Sequence, residues 1–227
     1  MSMPGYSDIL AEMSPSLFLV EEFTHRVLNE YTEAICSLSL AAAAAPDTRS
    51  IRAINAAAGL LHAHAEAHRA LQVPLAEGSL ELAAYLEGVC GRLAKAHLTT
   101  RGVRLTVCAD EVWLKAVQCW RVGLIVAELV RNASRHGLRG GPGWIRVDVV
   151  AGHGQVVCCV RDNGRAVAGR EGHGRGRRLV ENLAAALDGA LAWTHSPSGC
   201  CARVTFPVSQ GECADPNCAH ALAANLA

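Results

Sequence analysis

Aromatic side chains make up only 4% of this 227-residue chain, although 51% of it is apolar. The rest of that apolar half is rich in Ala and Leu, which favours helix. Net charge is also missing: 21 basic residues balance 21 acidic ones. No affinity for nucleic acid or membranes therefore follows from charge. Long hydrophobic runs are absent as well. The most apolar stretch, 34–45, has two serines in 12 residues and is too short to span a bilayer. The opening MSMPGYSDILAEM has no basic region ahead of an apolar core, which excludes the secretory-signal pattern. The expectation is a cytoplasmic protein without a membrane span. Cysteine, by contrast, is plentiful. In that compartment the ten cysteines are expected as reduced thiols. Cys158 and Cys159 lie in an apolar strand-like run, where Cys acts as a small hydrophobe.

The length suffices for one or two domains with cores of their own. Ser14–Ala45 reads as one long helix, with Ser14 as N-cap and Pro15 at the first helical position. Its apolar positions Leu17, Val20, Val27/Leu28, Tyr31, Ile35 and Leu38 approach a heptad seam. A short turn at Pro46–Thr48 leads to a second helix, Arg49–Gln72, with Ile51, Ile54, Ala58, Leu61 and Ala65 on one side. Two such helices form an antiparallel hairpin that cannot bury both faces alone. Residues 14–73 are thus expected to pair with a second copy as a four-helix bundle.

A second domain is expected over 79–208. It begins with a helix at Leu80–Thr99, followed by a strand at 103–108 and a helix from Glu111 to Gly137 with a possible break near Cys119–Arg121. Two hairpins, 144–150 with 155–162 and 190–195 with 201–208, flank a helix at about Gly176–Leu187. The fold class is α+β, a mixed sheet with helices on one face. The tail 209–227 shows no periodicity.

Three motifs carry chemistry. The helix VGLIVAELVRNASRHGL (122–138) has an apolar stripe through Leu124, Val126/Ala127, Val130 and Ala133. A second stripe holds Glu128, Asn132 and His136 at i, i+4 and i+8. A carboxylate, an amide and an imidazole in a row suit an anion and its divalent metal. Asp162-Asn163-Gly164 ends a strand, where a carboxylate can accept a hydrogen bond from a base and glycine admits close approach. Asn-Gly alone would also make an ordinary turn there. The loop Gly172-His173-Gly174-Arg175-Gly176 feeds a helix N-terminus, which offers free N–H groups to phosphates. A fourth feature, His25, lies off the apolar seam, where a neutral imidazole could attack a phosphoryl group.

The order of these pieces resembles sensor histidine kinases, especially the branch related to the HWE kinases. His25-Arg26-Val27-Leu28-Asn29 is similar to that branch's phosphoacceptor box, and His68 to a His of its second helix. ELVRNASRHGL (128–138) is similar to its N-box, DNG (162–164) to its G1 box, and GHGRGRRLVENLAAALDGAL (172–191) to its G2 box and following helix. The resemblance spans about residues 17–208. It implies a dimerising phosphotransfer bundle followed by a Bergerat-type ATP-binding domain. By that resemblance His25 is the phosphoacceptor and a response-regulator receiver domain the partner. Asn132 would bind Mg²⁺, with Glu128 ordering metal or water. Arg135 and His136 would face the ATP phosphates, and Asp162 the adenine amino group. Gly164, Gly172, Gly174 and Gly176 would shape the nucleotide pocket.

The departures are Ala166, where the family has a second glycine, and Arg175 and Arg177, where it has leucine. The Trp-x-Glu feature of strict HWE kinases is absent, with Val160-Arg161-Asp162 in its place. They leave an alternative: a histidine phosphotransferase of a phosphorelay with a degenerate domain that binds no ATP. A serine kinase of the anti-sigma type is a third reading, opposed by the hairpin that bears His25. Because His25 stands so near the start, sensing is expected from a separate protein or an upstream kinase. Metal binding at His64 and His68, or at Cys213, Cys218 and His220, is a weaker alternative.

Overall fold

The computed structural model describes residues 15–74, 78–164 and 175–208, with side chains from residue 22 onward. The chain divides into two compact units, Met1–Ala76 and Glu77–Ala227.

The first unit is a helical hairpin. Helix α1 runs Pro15–Ala43 and α2 runs Thr48–Arg69, and the two pack against each other. The proline therefore opens α1, where its missing N–H is no loss. Asp47 caps α2: its carboxylate accepts the Arg49 and Ser50 N–H groups, each at 2.9 Å, and the Ser50 hydroxyl at 2.7 Å. The Ser50 hydrogen bonds, side chain before backbone, hold its pKa below the ordinary carboxylate value. Along α1 the less exposed positions include Val27, Leu28, Tyr31, Ile35, Leu38 and Ala42, a spacing near 3.5 that faces α2. Leu28 is buried within the single chain, so this seam serves the hairpin itself. Phe23, Leu40 and Leu60 are left exposed. Leu17 and Val20 lie outside the residues whose side chains are described.

The second unit is an α+β sandwich. Its main sheet has five strands: β2 (Val103–Ala109), β4 (Gly143–Gly152), β5 (Gln155–Asp162), β6 (Ala190–Ser196) and β7 (Gly199–Pro207). They are ordered β2-β4-β5-β7-β6. β2 and β4 are parallel and every other pair is antiparallel, so the sheet is mixed. Helices α3 (Leu82–Leu93), α4 (Ala116–Asn132) and α5 (Arg175–Ala185) supply the apolar layer. Alternation decides which face each strand turns to them. Ile145, Val147 and Val149 of β4, Val156, Cys158 and Val160 of β5, and Ala202, Val204 and Phe206 of β7 enter one core. They meet Cys119, Val122, Ile125, Val126, Leu129 and Val130 of α4 and Val180 and Ala184 of α5.

Three boundaries differ from the sequence reading. Trp113–Lys115 forms a short strand β3, antiparallel to β1 (Ser79–Glu81), where helix was expected at both places. Glu81 then caps α3 by accepting the Ala83 and Ala84 N–H groups. α4 is continuous through Cys119–Arg121, with no break. The tail 209–227 lies outside the described residues, with the Cys213, Cys218 and His220 it carries. Among the described residues no helix is long and apolar enough to cross a membrane.

Candidate functional site

Helix α4 sits with most of its circumference in the core, and only one stripe stays open. Leu124, Glu128, Arg131 and Asn132 are half-buried, while their neighbours on either side are buried. Leu124 thus belongs to the polar stripe, and the apolar face centres on Val122, Ile125, Val126 and Leu129 instead. The spacing of these four is that of one helix face. Glu128 holds Arg131 by an ion pair at 3.0 Å. Beyond Asn132 the helix widens into a π-turn, Ala133–Gly137, closed by the Leu138 N–H donating to the Ala133 carbonyl at 2.8 Å. Arg135 and His136 are exposed on that wider turn.

The π-turn delivers Gly137 to the end of β5. A Cβ on Gly137 would lie 2.5 Å from Asp162 Oδ1 and 2.8 Å from its Cγ. Gly164 is as tightly placed, because a Cβ there would overlap the Gly137 backbone. A side chain on Gly164 would thus have to move the Gly137 backbone, and one on Gly137 would have to move the Asp162 carboxylate. Asp162 is 7% exposed. Its Oδ1 accepts the Gly164 N–H at 2.8 Å, and the carboxylate also accepts the Cys200 N–H. Burial pushes its pKa up; those N–H bonds and the nearby His195 pull the other way.

Asn163 fixes the strand end. Its side-chain oxygen accepts the Trp144 N–H at 2.8 Å, and its own N–H donates to the Trp144 carbonyl at 3.3 Å. Asn163 in effect extends the β4–β5 ladder by one side chain and leaves Asp162 facing the helices.

The N-terminus of α5 closes the arrangement. A Cβ on Gly176 would overlap Glu128 Oε1, so the Gly-rich helix start and the polar stripe of α4 are in direct contact. Arg177 turns away from it. Its guanidinium pairs with Glu181 at 3.0 Å and stands 5.8 Å over the Trp193 ring, within cation–π range. Arg175 is exposed. Gly172, Gly174 and Ala166 lie outside the described residues.

Two contacts thus reach from α4 and its π-turn, Glu128 to Gly176 and Gly137 to Asp162 and Gly164, and Asn132 stands one turn along the stripe from Glu128. Gly137 is not among the residues expected at the site from the motifs; a glycine directly after a helical His is its signal. The Asn163 clamp joins residues 19 apart and leaves no local trace in the sequence. His25 belongs to the other unit, exposed on α1. Trp120 is buried, whereas Trp113 and Trp144 are exposed.

Residues 92–206 match the family described as a histidine kinase-like ATPase domain. The chain is 32% identical over 142 residues to the blue-light-activated histidine kinase 2 of Erythrobacter litoralis, covering 58% of this chain and 39% of that one. It spans about two fifths of the length of that curated relative. Among solved structures, the histidine kinase domain of the E. litoralis EL346 blue-light-activated kinase superposes with a TM-score of 0.58 at 22% identity. That match covers 80% of this chain and 95% of the other. The Acinetobacter baumannii histidine kinase AdeS gives 0.50 at 14% identity, over 82% of this chain and 95% of the other. At these identities the two structures speak to the fold alone.

Proposed function

This chain belongs to the histidine kinase-like ATPase domain family, and from that premise we propose that it is a two-component protein-histidine kinase. It binds ATP with Mg²⁺, transfers the γ-phosphoryl group to His25, and passes it to an aspartate of a response-regulator receiver domain. The reaction is cytoplasmic, where ATP is available.

The observation that carries this reading is the contact chain from Glu128 through Gly176 on one side and from Gly137 to Asp162 and Gly164 on the other. It joins three separate stretches of sequence at one end of the second unit. The residues suit a purine nucleotide. Asp162 is a buried carboxylate with acceptor capacity beyond the Gly164 and Cys200 N–H groups it already takes. That is what recognition of an exocyclic amino group requires. Gly137 and Gly164 let the end of α4's π-turn close onto the end of β5, which holds Asp162 beside the stripe of α4. Asn132 and Glu128 offer oxygens to Mg²⁺, a hard cation that prefers them. The start of α5, with Gly176, and the exposed Arg135 and His136 offer donors to phosphate oxygens. Gly172 and Gly174 stand just before this start in the sequence. When bound, the metal neutralises charge on the phosphates, and the residues position the γ-phosphoryl group.

The carrier reading rests on Ala166, Arg175 and Arg177 and on sensing by a separate protein. Arg177 is committed to Glu181 and Trp193, which weakens one of these supports. The hairpin is read as half of a dimeric four-helix bundle. Incubation of the full chain with γ-labelled ATP and Mg²⁺ tests the proposal. Wild type is expected to take up label and His25→Ala none. Equal labelling of both, or micromolar ATP binding without any label, would overturn it.

A further inference from the structure

Strands β2 and β4 run parallel, so both begin at the same end of the sheet, with Val103 beside Gly143 and Arg104 beside Trp144. Val103 and Ile145 enter the core. Alternation therefore turns Arg104 and Trp144 to the face away from the helices, on backbones roughly 5 Å apart. The chain reaches β2 through a tight 3₁₀ turn, Thr99–Arg101, that closes at Gly102 with a φ of 68°. Glycine takes that left-handed conformation at no steric cost. Where the turn meets the two strand starts there is an open cleft of about 370 Å³. Thr99, Gly102, Val103, Arg104, Gly143 and Trp144 line it.

Two side chains of the cleft are left without a task in the fold. Trp144 is 43% exposed, although indole is among the side chains that gain most from being covered. Its place in the strand is nonetheless fixed. The Trp144 N–H donates to the Asn163 side-chain oxygen at 2.8 Å, and the Trp144 carbonyl accepts the Asn163 N–H at 3.3 Å. Arg104 is exposed and has no ion pair among the described residues. The next arginine along this face of β4, Arg146, is held by Asp148 at 2.6 Å. At the cleft an uncovered indole and an uncommitted guanidinium thus stand side by side.

We infer that this cleft is a binding site for a planar aromatic anion. The ring of the ligand stacks on the Trp144 indole, and its carboxylate or phosphate pairs with the Arg104 guanidinium. An indole face accepts an offset aromatic ring. A guanidinium takes either head group through parallel N–H···O bonds. The volume lies near the lower end of small-molecule sites, ~300–1,000 Å³, and suits a ligand of one or two rings. Neither Glu128, Asn132 nor Asp162 lines the cleft, so its occupation does not require nucleotide at the other site.

The test uses the full chain, labelled with nitrogen-15 and free of nucleotide. Titration with 2-naphthoate and with 1-naphthyl phosphate should give saturable shifts of the Trp144 indole N–H and of the Gly102 and Gly143 amides. The neutral 2-naphthol should bind about fivefold more weakly or worse, because a charge-assisted bond is lost. Inorganic phosphate, which has no ring, should leave the Trp144 indole unmoved. Arg104→Ala and Trp144→Ala should each weaken the naphthyl anions by a similar factor. Asp162→Asn should bind them as wild type does. Saturation by only one of the two anions would identify the head group. Binding of 2-naphthol as tight as that of the anions would overturn the inference, and so would wild-type affinity in Arg104→Ala. Loss of binding in Asp162→Asn would place the anion in the nucleotide site instead, and the absence of a saturable shift with either anion would leave no site. The comparison of charged and neutral ligands on the wild type decides the matter even if a variant does not fold.

Discussion

The carboxylate of Asp162 occupies the space that a side chain on Gly137 would need, with a Cβ there falling 2.5 Å from Oδ1. This contact ties the end of α4's π-turn to the end of β5. It also explains why a residue that would weaken a helix stands within the motif. The helix must come within touching distance of the strand end for the stripe of α4 and Asp162 to share one site.

Gly137→Ala is therefore expected to lower both stability and ligand binding. Overpacking a closed contact costs about 1–3 kcal/mol. Here the neighbour that must yield is the Asp162 carboxylate itself. Urea unfolding of the full chain should show the loss. ATP titration should show weakening beyond what the residual folded fraction explains. Normal ATP affinity in the alanine variant would mean that the close approach does not shape the site.

Asp162 gives a prediction in pH. Burial raises its pKa in the folded chain above the ordinary carboxylate value. Between the two values the folded state holds more protons than the unfolded state, so stability falls as pH rises through that window. Above it, the folded protein keeps a carboxylate that is partly stripped of water. Without nucleotide, Asp162→Asn should thus be at least as stable as wild type at pH 7, and the difference should vanish below about pH 4. The same variant should bind ATP at least tenfold more weakly, about 1.4 kcal/mol. Thermal melts across pH and calorimetry measure the two effects. A variant less stable at neutral pH would mean that the hydrogen bonds to Asp162 outweigh its desolvation.

Periodicity in the sequence carried much of the fold. The alternation in 144–150 and 155–162 marked β4 and β5, and the 3.6-residue repeat marked α4, because burial on one face imposes those patterns. The short β3 was not legible. Trp113–Lys115 is held by pairing with Ser79–Glu81, more than thirty residues away, and nothing local distinguishes it from a helix start. The breadth of α4's buried face also escaped, since Leu124 is as apolar as Ile125 and only packing tells them apart. In the site, residue types chosen for chemistry were readable: Glu128, Asn132, Asp162. Residues chosen for closeness were readable only in part. Gly137 and the Asn163–Trp144 clamp depend on which strand ends meet which helix.

The exposed apolar residues of the first unit predict its partner surface. Leu28 already packs within the hairpin, so a charge there would break the hairpin rather than a dimer. Leu40 and Leu60 are 74% and 42% exposed and have no role in the single chain. If a second copy covers them, Leu40→Glu with Leu60→Glu should give monomers in analytical ultracentrifugation while helicity is kept. A dimer that survives both changes would place the interface elsewhere.

Glu128 separates structure from chemistry most cleanly. Its ion pair with Arg131 is partly exposed, 18% on the Glu side and 35% on the Arg side. Such a pair contributes about 0–1 kcal/mol, so removing the charge should shift the melting temperature by no more than about 4 °C. Glu128→Gln keeps the shape that packs against Gly176 and removes only the negative charge. If that charge orders metal or water at the phosphates, ATP-dependent labelling of His25 should fall at least tenfold. ATP affinity should change less than threefold, because adenine recognition at Asp162 is untouched. Fluorescence melts, calorimetry and single-turnover labelling on the same preparation measure the three quantities. A labelling loss matched by an equal loss of ATP affinity would make Glu128 a binding residue. Unchanged labelling would leave it only the structural task of holding Arg131.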